Sequence, residues 1–483
     1  MEKQIHENSS PKINTPQKSI MDREIPLGKK IGFAIGFMGT QLYNGTQSAS
    51  TAWFWLNLMA IPNDAYSFIM LVVYNIWNAV NDQIFAHLSD RTRTRWGRRI
   101  PWLRAASPIW WLFFVLLYFP FVEGQLALVL YFMIVICIYD MLYTIVANNY
   151  NTLMPEMTTK TKERTTINTL ANVFGLIGNV AAYLFPMLLK ENVVHFQIYV
   201  VICGAVATIV LWIPSFIIKE RPIPKEEEIP MGFFESIKEC LKNKPFLAFA
   251  GNYFMKEAAL GLAMANIFFF STHVLQVGGL ESALLLGILL LMTAPGFAAW
   301  KKFSEKKGTR KAMILSTTCF AATFFFITFS PNIIVSFIIL AAAGFSLAGP
   351  TQFAYVMLAE TTDYDELKTN KRREGIYYGT NALLTKPGLG VGQAILSGVL
   401  GATLFVKDKI GSGGEVISQP QPDSAIWGIR FLMGVIPATF MFASAFFAYL
   451  YPLTKEKTAE MKAKLAQLHI KKFGGLPPNN STK

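Results

Sequence analysis

The sequence predicts an all-α membrane protein with twelve transmembrane helices in two six-helix pseudo-repeats. Three observations support this. Hydrophobic residues make up 52% of the 483 positions and charged residues only 16%, where a soluble domain carries about 25% charged. Apolar runs bounded by charge, Pro or Gly recur twelve times; twelve spans of about 20 residues need roughly 240 apolar positions, which this composition supplies. A short charged signature seen in the first half also returns in the second.

In chain order, residues 1–28 are polar, mixed in charge and without the apolar stretch of a signal peptide, so a cytosolic tail is expected. The first bundle, 29–218, holds candidate spans 31–60, 65–88, 100–121, 126–153, 166–189 and 196–218. Segment 219–245 is rich in Pro, Lys and Glu and is expected to be a cytosolic linker. Within it, residues 233–241 have the pattern of a short amphipathic surface helix. The second bundle, 246–452, holds spans 246–272, 282–300, 310–330, 332–359, 375–404 and 425–452, with 282–300 the shortest. Residues 453–483 form a second expected cytosolic tail.

The net charge of +13 falls mostly in loops on one side. After the second span come Arg91, Arg93, Arg95, Arg98 and Arg99; after the eighth come Lys301, Lys302, Lys306, Lys307, Arg310 and Lys311. The positive-inside bias explains this surplus and puts both termini in the cytosol, with no nucleic-acid partner implied. Leu88-Ser89-Asp90-Arg91 ending in Arg98-Arg99 is echoed by Phe303-Ser304-Glu305-Lys306 ending in Arg310-Lys311. A duplicated unit accounts for the echo, and transporters are often built so. The four cysteines and five histidines are scattered, which excludes a disulfide framework or metal cluster. No phosphate-binding loop or nucleophile–base pattern points to an enzyme or an ATP-driven pump. No cofactor is implied, and a monomer in the cell membrane is expected.

Charged groups at membrane depth cost at least about 2.5–3.5 kcal/mol on insertion scales, so they are candidate functional groups. Asn75, Asn78 and Asp82 form one helical stripe. A carboxylate among amides can ligate a small hard cation or carry a proton, or simply snorkel near the helix end. Asp140 shares a face with Thr144, Asn148 and Asn151, and either binds solute or holds helices together. Lys386 lies about 17 Å along its span, near the midplane. Lys256 and Glu257 are adjacent and point about 100° apart, so each is expected to need a partner elsewhere. Gln41, Asn44 and Ser48 give the first span a neutral polar face suited to a sugar or lipid head group.

The stretch Asn81-Asp82 with Ser89-Asp90-Arg91-Thr92-Arg93-Thr94-Arg95-Trp96-Gly97-Arg98-Arg99-Ile100-Pro101-Trp102 resembles the loop signature of the glycoside–pentoside–hexuronide:cation symporters. These are the melibiose-carrier relatives within the major facilitator superfamily. The acidic–basic run Glu360 to Gly375 resembles their second signature, and Pro155-Glu156 through Glu163-Arg164-Thr165 a third. The resemblance covers residues 26–455. It implies two six-helix bundles around a central cavity, and alternating-access symport of a sugar or glycoside-type solute with Na⁺ or H⁺.

By that resemblance Asp82 is the cation ligand, a possible Na⁺ site, with Asn78 and Asn148 assisting. Gln41, Asn44, Asp140, Lys256, Glu257 and Lys386 are candidate solute contacts. Asp90, Arg91, Arg98 and Arg99 would latch the cytoplasmic side. The match is partial: Asn78, Ala147 and Gln41 stand where the melibiose carriers have acids, and their fifth-helix arginine is missing near Leu170 and Ala171. Asp140, Lys256 and Glu257 fall outside the family pattern. The lysophospholipid symporters share the second-helix acid and eleventh-helix lysine, which leaves a lipid-like solute, an uncoupled uniporter and a non-transporting sensor as alternatives.

Overall fold

The computed structural model describes residues 25–92, 94–97, 99–157, 161–218, 233–370 and 374–473. Among the described residues, twelve helical rods cross the molecule. The first is α1 (Leu27–Ala52), prolonged by a π-helical turn, Trp53–Leu58. The second starts as α2 (Asn63–Phe68), passes through a π turn at Ile69–Val73 and continues as α3 (Tyr74–Arg91). Then follow α4 (Ile100–Leu116), α5 (Gln125–Met157), α6 (Thr161–Leu189) and α7 (Val193–Ile217).

A short helix, α8 (Phe233–Leu241), precedes the second half. That half contains α9 (Lys244–Phe269) with a π turn at Phe270–Val274, α10 (Gly279–Lys307), α11 (Thr309–Ile327) and α12 (Ile333–Thr369). Its eleventh rod is divided into α13 (Glu374–Thr385) and α14 (Pro387–Ala402), and its twelfth into α15 (Asp423–Met433) and α16 (Val435–Leu450). A two-stranded hairpin, β1 (Lys409–Ile410) and β2 (Val416–Ile417), sits between them, and α17 (Lys455–Phe473) closes the chain.

Nine rods among the described residues are long and apolar enough to cross a membrane by composition alone. The exceptions are the first three rods. The third is 17 residues long. The first two carry polar groups on faces turned into the bundle, among them Thr46, Ser50 and Thr51 on α1 and Asn78 and Asn81 on α3, all buried. Their outer faces stay apolar, as the exposed Ile76, Val80 and Ile84 of α3 show. The chain is a multi-pass membrane protein whose outward-facing side chains are largely apolar.

The two halves repeat each other. In the first, α1 packs on α6 and α7; in the second, α9 packs on α14 and α16. The first rod of each half ends in a π turn, Trp53–Leu58 and Phe270–Val274. The echoed charged signatures end the second rod of each half, α3 and α10. Duplication therefore shows in backbone geometry as well as in sequence.

Three elements depart from the sequence reading. The eighth span, expected to be the shortest at 282–300, is the 29-residue α10, because its helix runs on through Trp300 and the lysines to Gly308. Gly308 ends it with φ of 88°, a value that only glycine adopts without strain. The eleventh span is not continuous: Pro387 has no N–H for the carbonyl four residues earlier, and the helix breaks at Lys386. Segment 405–424, left between the expected spans 375–404 and 425–452, contains the hairpin.

The termini of the described chain lie on one face, here the terminal face; the opposite one is the far face. Several hydrogen bonds among the described residues join the halves at or beyond the level of Lys386, towards the far face. Tyr66 donates to Gln393 (2.5 Å), Ser397 to the Asn63 carbonyl (2.7 Å) and Lys407 to the Ile61 carbonyl (2.7 Å). Trp53 stacks on Phe268, with ring centroids 5.2 Å apart. Two glycines allow this approach: a Cβ on Gly390 would stand 2.6 Å from the Met70 carbonyl oxygen, and one on Gly279 2.6 Å from that of Leu188. The far face is closed.

Candidate cation and solute site

At mid-molecule, α3 and α5 face the break in the eleventh rod. Helical spacing puts Tyr74, Asn78 and Asn81 on one side of α3, turned to α5. There they meet Asp140, which is buried. Tyr74 Oη donates to Asp140 Oδ1 (2.9 Å), Asn78 Nδ2 donates weakly to the same oxygen (3.4 Å), and Asn81 Nδ2 donates to Oδ2 (2.8 Å). A carboxylate away from water needs such donors, because leaving its lone pairs unmet costs more than a hydrogen bond returns.

Asn78 also reaches the other half. Lys386 Nζ donates to Asn78 Oδ1 at 3.0 Å. The side chain comes from the helix break, where the Lys386 N–H still bonds the Ala382 carbonyl and its own carbonyl accepts from Leu389. One amide thus joins the carboxylate of the first half to the lysine of the second. Asn81 Oδ1 is buried beside this relay and accepts no hydrogen bond.

Sequence reasoning singled out Asn78, Asp140 and Lys386 separately, and the structure brings them together. It missed Tyr74 and Asn81, although Asn75, Asn78 and Asp82 had marked the same helix. The Asp82 side chain lies outside the described residues; its backbone sits one turn beyond Asn78 on α3. Asn148 is two turns past Asp140 and, among the described residues, joins no side-chain bond of this cluster.

Lys256 and Glu257 depart from expectation. They pair with each other, Nζ to Oε1 at 2.9 Å. Adjacent Cβ atoms diverge on a helix, but a four-carbon lysine stem is long enough to fold back. Lys256 is buried and also lies over the Tyr253 ring, 3.9 Å from its centroid. Glu257 borders Gly388, just past Lys386: a Cβ there would be 3.2 Å from the Glu257 Cβ. Gln41 and Asn44 are half-buried on α1, with Gln41 against Gly175 of α6. Neither reaches the Asp140 relay.

Of the expected latch, the side chains of Asp90 and Arg91 and all of Arg98 lie outside the described residues. Arg99 is buried and turns back on its own half, donating to Ser89 Oγ at 2.9 Å. Glu163, from the third signature, pairs with Lys30 at the start of α1 (2.8 Å). Glu360, from the second, sits beside Tyr451 Oη (3.5 Å).

A family profile described as MFS/sugar transport protein matches residues 32–455. The chain is 22% identical to an uncharacterized symporter of Synechocystis, over 93% of this chain and 98% of that one. It is 24% identical to the sodium-dependent lysophosphatidylcholine symporter 1 of Gallus gallus (83% and 82% covered) and 24% to the glucuronide carrier protein homolog of Escherichia coli (81% and 85%). Among solved structures it superposes on the nucleoside transporter NupG with a TM-score of 0.60 at 12% identity, covering 88% of this chain and all of that one. It superposes equally well, at 16% identity, on a bacterial homolog of the human lysosomal transporter Spinster, covering 91% and 97%. Profile, relatives and fold are those of transporters and not of enzymes. The chain belongs to the MFS/sugar transport family of the major facilitator superfamily.

Proposed function

We propose that the protein is an alternating-access symporter that couples a cation, Na⁺ or H⁺, to a sugar or glycoside-type solute. The observation behind this is the relay Asp140–Asn78–Lys386, which ties a buried carboxylate of one half to a cation of the other. A Na⁺ or proton arriving at the carboxylates of this region, Asp140 with Asp82 one turn from Asn78, changes what Asn78 offers Lys386. A ligand shifts a two-state balance only through contacts that differ between the states, and this relay supplies such a difference. Freed from Asn78, Lys386 faces the solute, with the Lys256–Glu257 pair and the polar face of α1 as further contacts. Loop charge supports a cytosolic terminal face, and on that reading the closed far face is the external one.

A lipid-like solute is the second reading. Gln41 and Ala147 stand where the resemblance calls for acids, and sodium-dependent lysophosphatidylcholine symporters are among the similar proteins. Counterflow in proteoliposomes distinguishes the two. Vesicles loaded with a glucuronide, a galactoside or a lysophosphatidylcholine are tested with a sodium gradient, a pH gradient or neither. The expected result is glycoside exchange that one gradient drives uphill and that Asp140→Asn uncouples. Exchange of lysolipid alone, or uphill uptake unchanged in both Asp140→Asn and Lys386→Ala, overturns it.

A further inference from the structure

Lys190 stands in the turn between α6 and α7, on the far face. Its ammonium is buried and donates to Ser271 Oγ (3.0 Å), Thr272 Oγ1 (2.9 Å), Ser282 Oγ (2.8 Å) and the Val277 carbonyl (3.3 Å). All four acceptors are neutral and all belong to the other half. Among the described residues no carboxylate is within ion-pairing distance. Glu191, next in sequence, instead accepts from the Gly279 N–H that starts α10 (2.8 Å). Beside the cage, Asp408 accepts from Asn57 Nδ2 (2.8 Å) and lies 3.5 Å from His273 Nε2. A buried cation whose direct acceptors are all neutral is costly to keep charged and dry, and the transport residues above do not use it.

We propose that Lys190 is a proton-sensitive bolt on the far face: its ammonium must leave the oxygen cage of the second half whenever that face opens, so its protonation sets the balance between closed and open. Burial holds the amine down to about 8 from its ordinary 10.5, against the opposing pull of Glu191, Asp408 and Glu281. In the open state water restores the ordinary value. The open state therefore binds the proton more tightly, and raising the pH favours closure. From pH 7 to 9 the closed-to-open ratio rises by up to about tenfold.

The groups facing Lys190 are Glu191 on its own turn, Glu281 on α10, Asp408 before the hairpin and His273 on the π turn. Lys407, which bonds the Ile61 carbonyl, is also lowered by burial and serves as the control.

The test is a far-face distance by pulsed electron resonance in nanodiscs, with no solute. Spin labels go on Glu123→Cys and Phe329→Cys, both exposed, in a background without Cys137, Cys203, Cys240 and Cys319. The parent should shift to the short distance as pH rises from 7 to 9, and Lys407→Gln should keep most of that shift. Lys190→Gln should hold the short distance at every pH, and Lys190→Arg should stay long-leaning and flat. A pH shift surviving in either Lys190 variant, or none in the parent, overturns the proposal. Loss of the shift in Lys407→Gln alone assigns it to that lysine and overturns it equally.

Discussion

Asn78 is the residue on which the central site turns, because one amide serves two opposite charges. Its NH₂ is aimed at Asp140 and its oxygen at Lys386. Replacing it by Ala takes a hydrogen bond from each, and a hydrogen bond to a charged group is worth about 1.5–3 kcal/mol. Asn78→Ala is therefore expected to lower the melting temperature in detergent by several degrees and to reduce coupled uptake by more than tenfold. Asn78→Gln, with the same groups on a longer stem, should recover stability better than transport. Equal uptake in parent and Ala variant would remove Asn78 from the relay. The candidates were legible as residues because charge at membrane depth stands out in any sequence. Their partners were not: which carboxylate a lysine meets depends on helix rotation, and Lys256 found Glu257 next door only because its stem folds back.

At the scale of elements, hydropathy located the rods but not their interruptions. The break at Lys386 comes from one missing N–H, and the π turns change only the hydrogen-bond register of the helix; neither alters an apolar count. Small residues at crossings are more informative. A Cβ on Gly390 meets backbone of the opposite half, whereas one on Gly344 meets the Leu289 carbonyl of its own half. The two should fail differently. Gly344→Ala wedges α10 from α12 in a single bundle, and a clear loss of thermal stability is expected. Gly390→Ala wedges the halves apart, with a small change in melting but a longer far-face distance. The same pulsed measurement with the Glu123 and Phe329 labels checks it, and an unmoved distance would show that the eleventh rod yields without moving the half.

For the whole molecule, one strap across the closed far face is built from the turn 190–193, the hairpin and the start of α10. Val193 N–H bonds the Gly414 carbonyl and Val416 N–H the Glu191 carbonyl, both at 2.8 Å, with Asn192 and Glu415 facing each other as a bridge pair. Bridge partners stand about 4.5–5.5 Å apart at Cα, within the range of a disulfide. The double variant Asn192→Cys, Glu415→Cys should cross-link on mild oxidation and bring uptake close to background, with reductant restoring it. Transport that continues through the cross-link would mean that this strap stays shut through the cycle. None of this strap was visible in the sequence, because Lys190, His273 and Asp408 are far apart along the chain and ordinary for loops and helix ends.

The break at Lys386 has one more consequence. With Pro387 unable to donate, the Leu383 carbonyl lacks its usual helical donor, one turn before the lysine. Two such groups at the centre of a hydrocarbon slab draw in water. A hydrated notch is therefore the expected state of the eleventh rod at this level. A polar solute reaching such a notch need not strip to bare atoms, since it can trade its hydration shell for water held there. On this view the barrier to crossing depends on how many of those waters the solute displaces, and the lysine's charge matters as much for holding them as for binding the solute.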